Sequence, residues 1–257
     1  MNTRRLTTTG VALVAALSLG LTGCNDGSTG GTAGPAASAS SAAPKLEPRE
    51  ELSAAARKLS ESTAKIDFGM TGFTGNGVVD PATKKLQMAM NVGVGNQAMK
   101  MDIRAVDQDF YLRLEGVPNL SGKWLHIDSS KLPAGSQLQR MRAGDPLGAN
   151  NLMAGVTEVQ RTGEGSLKGT LDLTKSPTAD KDAMKMLGDK AKSVPFTAEI
   201  DEQGRLTELV IDMESVHAGL GQMKTTYSDF GVPVTVETPA ASEVQEAPAE
   251  LVKGFSK

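Results

Sequence analysis

Between residues 84 and 114, apolar and polar positions alternate with a period of two. In "KKLQMAMNVGV" one face takes Leu86, Met88, Met90, Val92 and Val94. In "QAMKMDIRA" it takes Met99, Met101, Ile103 and Ala105, and in "DFYLRL" it takes Phe110, Leu112 and Leu114. Successive side chains of a strand point to opposite faces, so this pattern predicts antiparallel strands with one covered and one wetted face. Turn sequences stand between the runs: Asp80-Pro81-Ala82-Thr83, Gly95-Asn96, Asp107-Gln108 and Asp201-Glu202-Gln203-Gly204. Asp and Asn bond the backbone locally, Pro presets φ, and Gly accepts positive φ. Further strands are predicted over residues 68–79, 123–128, 157–163, 167–173, 195–200, 206–213 and 225–230.

Three segments carry helical spacing instead. Pro48 suits a first turn, and Leu52, Ala55, Ala56 and Leu59 recur on one face, with an end expected near residues 63–65. A second helix is predicted near residues 145–153. A third, over 178–192, places Ala183, Met186, Leu187 and Ala191 on one face. About ten strands with a few helices predict an α+β fold built on a large antiparallel sheet.

Upstream the pattern changes. Arg4 and Arg5 precede an apolar run, "GVALVAALSLGL", that is shorter than the roughly 20 residues a membrane-spanning helix needs. Basic residues, an apolar run and then small residues are the layout of a secretory signal peptide. Leu21-Thr22-Gly23-Cys24 resembles the lipobox of bacterial lipoproteins, in which the cysteine sulfur receives diacylglycerol and cleavage leaves that cysteine first. The bland alternative is an ordinary signal peptide whose cleavage site includes a cysteine. Cys24 is the only cysteine of the chain, so it forms no internal disulfide and has no partners for a metal site. Residues 1–23 therefore read as signal peptide, and residues 24–46 as an acylated cysteine followed by a Gly/Ser/Ala/Pro tether. Its r.m.s. span is roughly 25 Å. Residues 47–240 read as one domain, and 241–257 as a tail with a short helix around 244–252. The expected location is the extracytoplasmic face of the cell membrane, anchored through Cys24.

Charge narrows the partners. Without residues 1–23 the 27 basic side chains fall to 25, against 30 acidic ones. A mildly acidic chain lacks the basic face that nucleic acid requires.

Candidate chemistry is sparse. Ser62-Thr63-Ala64-Lys65 matches the Ser-x-x-Lys pattern of penicillin-recognising enzymes, but falls at a predicted helix end rather than a helix start. His126 and His217 are the only histidines. His126 is expected to face solvent from its strand and His217 to stand near a turn. Neither has the neighbours that a zinc site or a hydrolytic triad needs. Gly72, Gly75 and Gly77 lack the strand-turn-helix context of a phosphate cradle and read as a flexible hairpin. The reading is of a non-enzyme, with no cofactor and no metal.

Methionine changes the picture. Eleven remain after the initiator, against six Phe, two Tyr and one Trp. Met88, Met90, Met99 and Met101 share the apolar face of two adjacent strands. Flexible thioethers suit ligands of variable shape, although Met also serves as ordinary core filler.

Three segments carry a resemblance. "DQDFYLRLEGVPNLSGKWLHIDSSKL" (107–132), "PFTAEIDEQGRLTELVIDM" (195–213) and "TYSDFGVPVTVETPAASEV" (226–244) are similar to the LppX/LprG-type lipoproteins of actinobacteria. The similarity spans most of residues 47–244. The glycine-rich stretch 72–77 departs from the family pattern. The resemblance implies a LolA/LolB-like fold: a strongly curved antiparallel sheet, an unclosed half-barrel, wrapped over a few helices. It also implies an apolar cavity for an acylated lipid or lipoglycan, carried or chaperoned at the envelope, and a membrane transporter as partner. The candidate lining is Met88, Met90, Met99, Met101, Phe110 and Leu112 from the sheet, with Met153, Met186 and Leu187 from the helices. The rival reading is an envelope sensor or adaptor of the same fold, with a filled core and a protein partner.

Overall fold

Helix α1 (Pro48–Lys58) begins with proline in its first turn, carries Glu50 and Glu51 there, and ends on Arg57 and Lys58. Those charges complement the helix dipole. It stops short of the expected 63–65 because Ala64 already pairs with Val79 in the sheet. The computed structural model describes residues 46–94, 97–117, 120, 122–132, 136–142, 152–176, 184–185 and 187–254. All belong to one compact unit, Lys45–Lys257. Cys24, with the predicted signal peptide and nearly all of the tether, lies outside the described residues, as do Met186 and much of the two later predicted helices.

The single strand predicted over residues 68–79 is a hairpin, β1 (Ala64–Met70) and β2 (Phe73–Asp80). Met70 faces Phe73 across a two-residue turn, and Gly72 takes φ +76° there. That left-handed conformation favours glycine. The meander continues through β3 (Lys85–Val94), β4 (Gln97–Val106), β5 (Asp109–Glu115) and β6 (Trp124–Asp128). After helix α2 (Gln137–Arg142) a second meander runs through β7 (Val156–Arg161), β8 (Ser166–Leu171), β9 (Val194–Ile200), β10 (Leu206–Asp212) and β11 (Gln222–Ser228). The chain closes with β12 (Val244–Glu246) and α3 (Ala249–Gly254), so a helix expected from residue 244 begins at Ala249. Two of the predicted turns are built as their residues demand. Asp80 accepts from the Thr83 amide at 3.1 Å, and Asp201 from the Gln203 and Arg205 amides at 3.0 and 2.8 Å.

The twelve strands among the described residues form one sheet, in the order β12-β6-β5-β4-β3-β2-β1-β11-β10-β9-β8-β7. The two meanders join where β1 pairs with β11, with Ile66 opposite Tyr227. Every pairing is antiparallel except β12 on β6, so the expected antiparallel sheet is in fact mixed. β7 and β12 are its two edges, and the sheet stays unclosed.

Laid flat, twelve strands at about 4.8 Å spacing would be about 50 Å wide. Yet residues from β1 to β11, with Leu52 and Ala55 of α1, Leu59 just after it, and Leu138 and Met141 of α2, form one buried cluster. Helix α1 touches β7, β9 and β10, while α2 touches β3. A single core shared by strands so far apart in the sheet requires it to curl around the helices. The fold is α+β and mostly β, a curved sheet wrapped over a few helices.

The glycines of β2 serve that packing. Gly75 and Gly77 are inward positions, opposite Phe68 and Ile66 of β1. A β-carbon on Gly75 would fall 2.3 Å from Phe68 Cζ. One on Gly77 would fall 2.5 Å from the Gln87 carbonyl oxygen and 2.7 Å from Met88 Cγ. The stretch that reads as a flexible hairpin is space occupied by its neighbours. Gly77→Ala is expected to cost about 1–3 kcal/mol by overpacking, because a backbone carbonyl cannot step aside. Gly93→Ala, whose nearest neighbour would be 3.7 Å away, should be nearly neutral. Urea unfolding of the two variants checks this; equal midpoints would refute it.

Candidate ligand-binding face

The register assembles the methionines. Met90 lies opposite Met101, Met88 opposite Ile103, and Val92 opposite Met99 across β3 and β4. On β5, Leu114 stands opposite Met101, Leu112 opposite Ile103, and Phe110 opposite Ala105. Directly opposed residues in an antiparallel pair share a face. The six predicted sheet positions therefore lie together on the core side.

Their environments differ along the strands. Toward the start of β3 and of β5, Met88, Phe110 and Leu112 are sealed, at 2, 1 and 3% exposure. Toward the opposite end, Met90, Met99 and Met101 are half-buried, and so are Met70, Phe73 and Val92. Phe73 packs against Phe68 with ring centroids 5.4 Å apart. Helix α1 is held against the second meander. Arg161 binds it there, with Nη1 2.5 Å from Glu51 and Nη2 donating to the Leu46 carbonyl at 3.0 Å. Lys58 donates to the Gln203 carbonyl.

Of the predicted helical positions, Met153 and Leu187 are partly buried and pack against the core, and Met186 lies outside the described residues. Val117, Leu120, Met213 and Met223 stand in the same partly buried layer; Met213 continues the alternation of Leu209 and Ile211, and no pattern in the chain singles out the other three. For Met223 the reason is that β11 starts three residues before its alternation becomes legible at Thr225. Val117 and Leu120 lie in a segment with no period to reveal them.

A cleft of about 450 Å³ lies elsewhere, on the outward face of β7–β11. Pro195, Phe196 and Val210 line it together with the polar side chains of Glu158, Lys168, Thr170 and Asp212.

The chemistry weighed in the sequence takes ordinary roles. Lys65 is on β1, 3.1 Å from Asp67, and the Thr63 hydroxyl donates to the Val232 carbonyl at 2.8 Å. Ser62 lies beyond the end of α1, not at a helix start. His126 is on the outward face of β6, between two carboxylates, and His217 is exposed after a short turn. Among the described residues no group of three or more His, Cys, Asp or Glu could hold a metal ion, and no helix is long and apolar enough to cross a membrane.

Residues 67–236 match the family model described as LppX_LprAFG lipoprotein. No curated protein matches the chain.

Proposed function

Because the chain belongs to the LppX_LprAFG lipoprotein family, an envelope-associated group, we propose that it binds an acylated lipid or lipoglycan on the concave side of its sheet and carries or chaperones it. The observation that carries this reading is the gradient along the concave face, from a sealed apolar end to a half-buried end rich in methionine. Acyl chains would leave water there at roughly 0.8 kcal/mol per buried CH₂. Thioethers with three rotatable bonds adapt to chains of different length. Binding of this kind uses no reacting side chain, and the protein acts as a non-enzyme. Acylated Cys24 would hold it to the outer surface of the cell membrane, where it exchanges its lipid with a membrane transporter.

Native mass spectrometry with lipid extraction, on protein purified from membranes of a related host, tests the reading. A stoichiometric acylated adduct is expected. A clean apo mass, with no uptake of added lipid, would sink it.

The near-complete burial of Met88, Phe110 and Leu112 favours a second reading: a filled core, in a sensor or adaptor that binds a protein partner at the envelope.

A further inference from the structure

On the other face of the same strands, a smaller layer is buried apart from the main core. Trp124, Tyr111 and Val236 are 4, 8 and 6% exposed, yet none belongs to the core cluster. Trp124 and Tyr111 point away from Leu125 and Leu112, which do. The guanidinium groups of Arg104 and Arg113 lie 4.6 and 4.7 Å from the Trp124 ring centroid. Arg104 also donates to the Glu237 carbonyl at 2.9 Å.

Residues 229–243 therefore run as a strap from β11 to the far edge of the sheet. The strap is tied at its start, where the Gly231 amide donates to the Thr63 carbonyl at 3.1 Å. Its far end is β12, three residues long and parallel to β6, with Val244 beside Trp124 and Glu246 beside His126. The Ala247 amide donates to the His126 carbonyl at 2.9 Å.

The His126 ring bridges the strap to the sheet. Its Nε2 is 2.7 Å from Asp109 Oδ1 on β5, and its Nδ1 is 2.7 Å from Glu246 Oε1 on β12. A neutral imidazole has one N–H, so it can donate to only one of these carboxylates, and the other then faces a lone pair. Protonated on both nitrogens, it makes two charge-assisted hydrogen bonds.

We propose that His126 is a pH-sensitive latch: as imidazolium it fastens β12 to β6, and as neutral imidazole it releases Glu246, freeing the strap's end and uncovering Trp124 and the β6 edge. Glu246 is the contact that goes, because its side chain is 74% exposed against 39% for Asp109. The groups around the ring agree. Asp109 and Tyr111 face it from β5, the Tyr111 ring 5.5 Å away, and Glu246 faces it from β12. Asp107 stands in the turn before β5, and Asp128 on β6 itself, 3.7 Å from Lys131. The charges are mostly negative. The hydrogen bond to Asp109 raises the His126 pKa above its ordinary 6.5, burial opposes this, and Glu246 adds to the rise.

A raised pKa means that the latch is fully fastened below the ordinary histidine pKa and is lost as pH rises through the raised value. Trp124 is the only tryptophan, so it reports the event alone. Acrylamide quenching of the full-length chain in detergent should rise at least twofold from pH 6 to pH 9. Glu246→Ala should quench at pH 6 as the native chain does at pH 9, with little further change. His126→Gln should lose the pH dependence as well. Equal quenching of the native chain at both pH values, or a pH dependence that survives in Glu246→Ala, would overturn the latch. Glu246→Ala carries the test even where His126→Gln disturbs β6, since residue 246 is on the exposed edge strand.

Discussion

Truncating Phe110 to alanine is expected to destabilise the fold by about 3–5 kcal/mol. Phe110 is 1% exposed and stands between Ala105 of β4 and Ile127 of β6 on the core side. Both neighbours are small or stiff, so the void left by the ring cannot be filled from the sheet. Removing a buried aromatic loses its transfer free energy and adds the cost of that void. A domain stabilised by only about 5–15 kcal/mol would lose a large share of its margin. Urea unfolding measures the effect: the midpoint should fall with little change in slope. A loss below about 1 kcal/mol would mean that Phe110 borders empty space rather than packed side chains.

Met101→Trp separates the two functional readings. Met101 faces Met90 and Leu114, and it is half-buried where Met88, two residues further from the half-buried end of β3, is sealed. In a lipid carrier the indole would occupy the acyl path. Lipid recovered with the protein should then fall at least tenfold, and stability should change by less than about 1 kcal/mol. In a filled core the same substitution overpacks and costs about 1–3 kcal/mol. Met88→Trp provides the reference for true overpacking, since Met88 is only 2% exposed. Lipid extraction and unfolding, measured on the same preparations, decide between the readings. Full lipid occupancy in a destabilised Met101→Trp would count against the carrier.

The strands that are legible in the chain are those whose two faces see different solvents. β3, β4 and β5 alternate cleanly because one side takes the apolar core residues and the other takes mostly polar ones, so alternation alone puts Met88, Met90, Phe110 and Leu112 on one face. The β1–β2 hairpin is harder to read. Glycine at positions 75 and 77 removes the inward side chains that would mark the period, since Phe68 and Met88 occupy that space. Helix α2 leaves no signal because its six residues make fewer than two turns, too few for a periodic face to repeat. Alternation puts His126 on the outward face, where it lies, but its partner Glu246 is 120 residues away, on a segment with no pattern of its own.

Local sequence dictates which side chains of each long strand turn toward the apolar side, because the two-residue period belongs to extended backbone and needs no neighbour. It also carries the family, through short segments that survive as local patterns. Long-range packing, by contrast, settles that β1 meets β11, that β12 lies parallel on β6, and that the half-buried Met90 and Met101 stand opposite each other. Those outcomes depend on pairings between distant strands whose alternations look alike. The choice among them is made by how the curled sheet shares one core, a property of the whole chain that no segment carries alone.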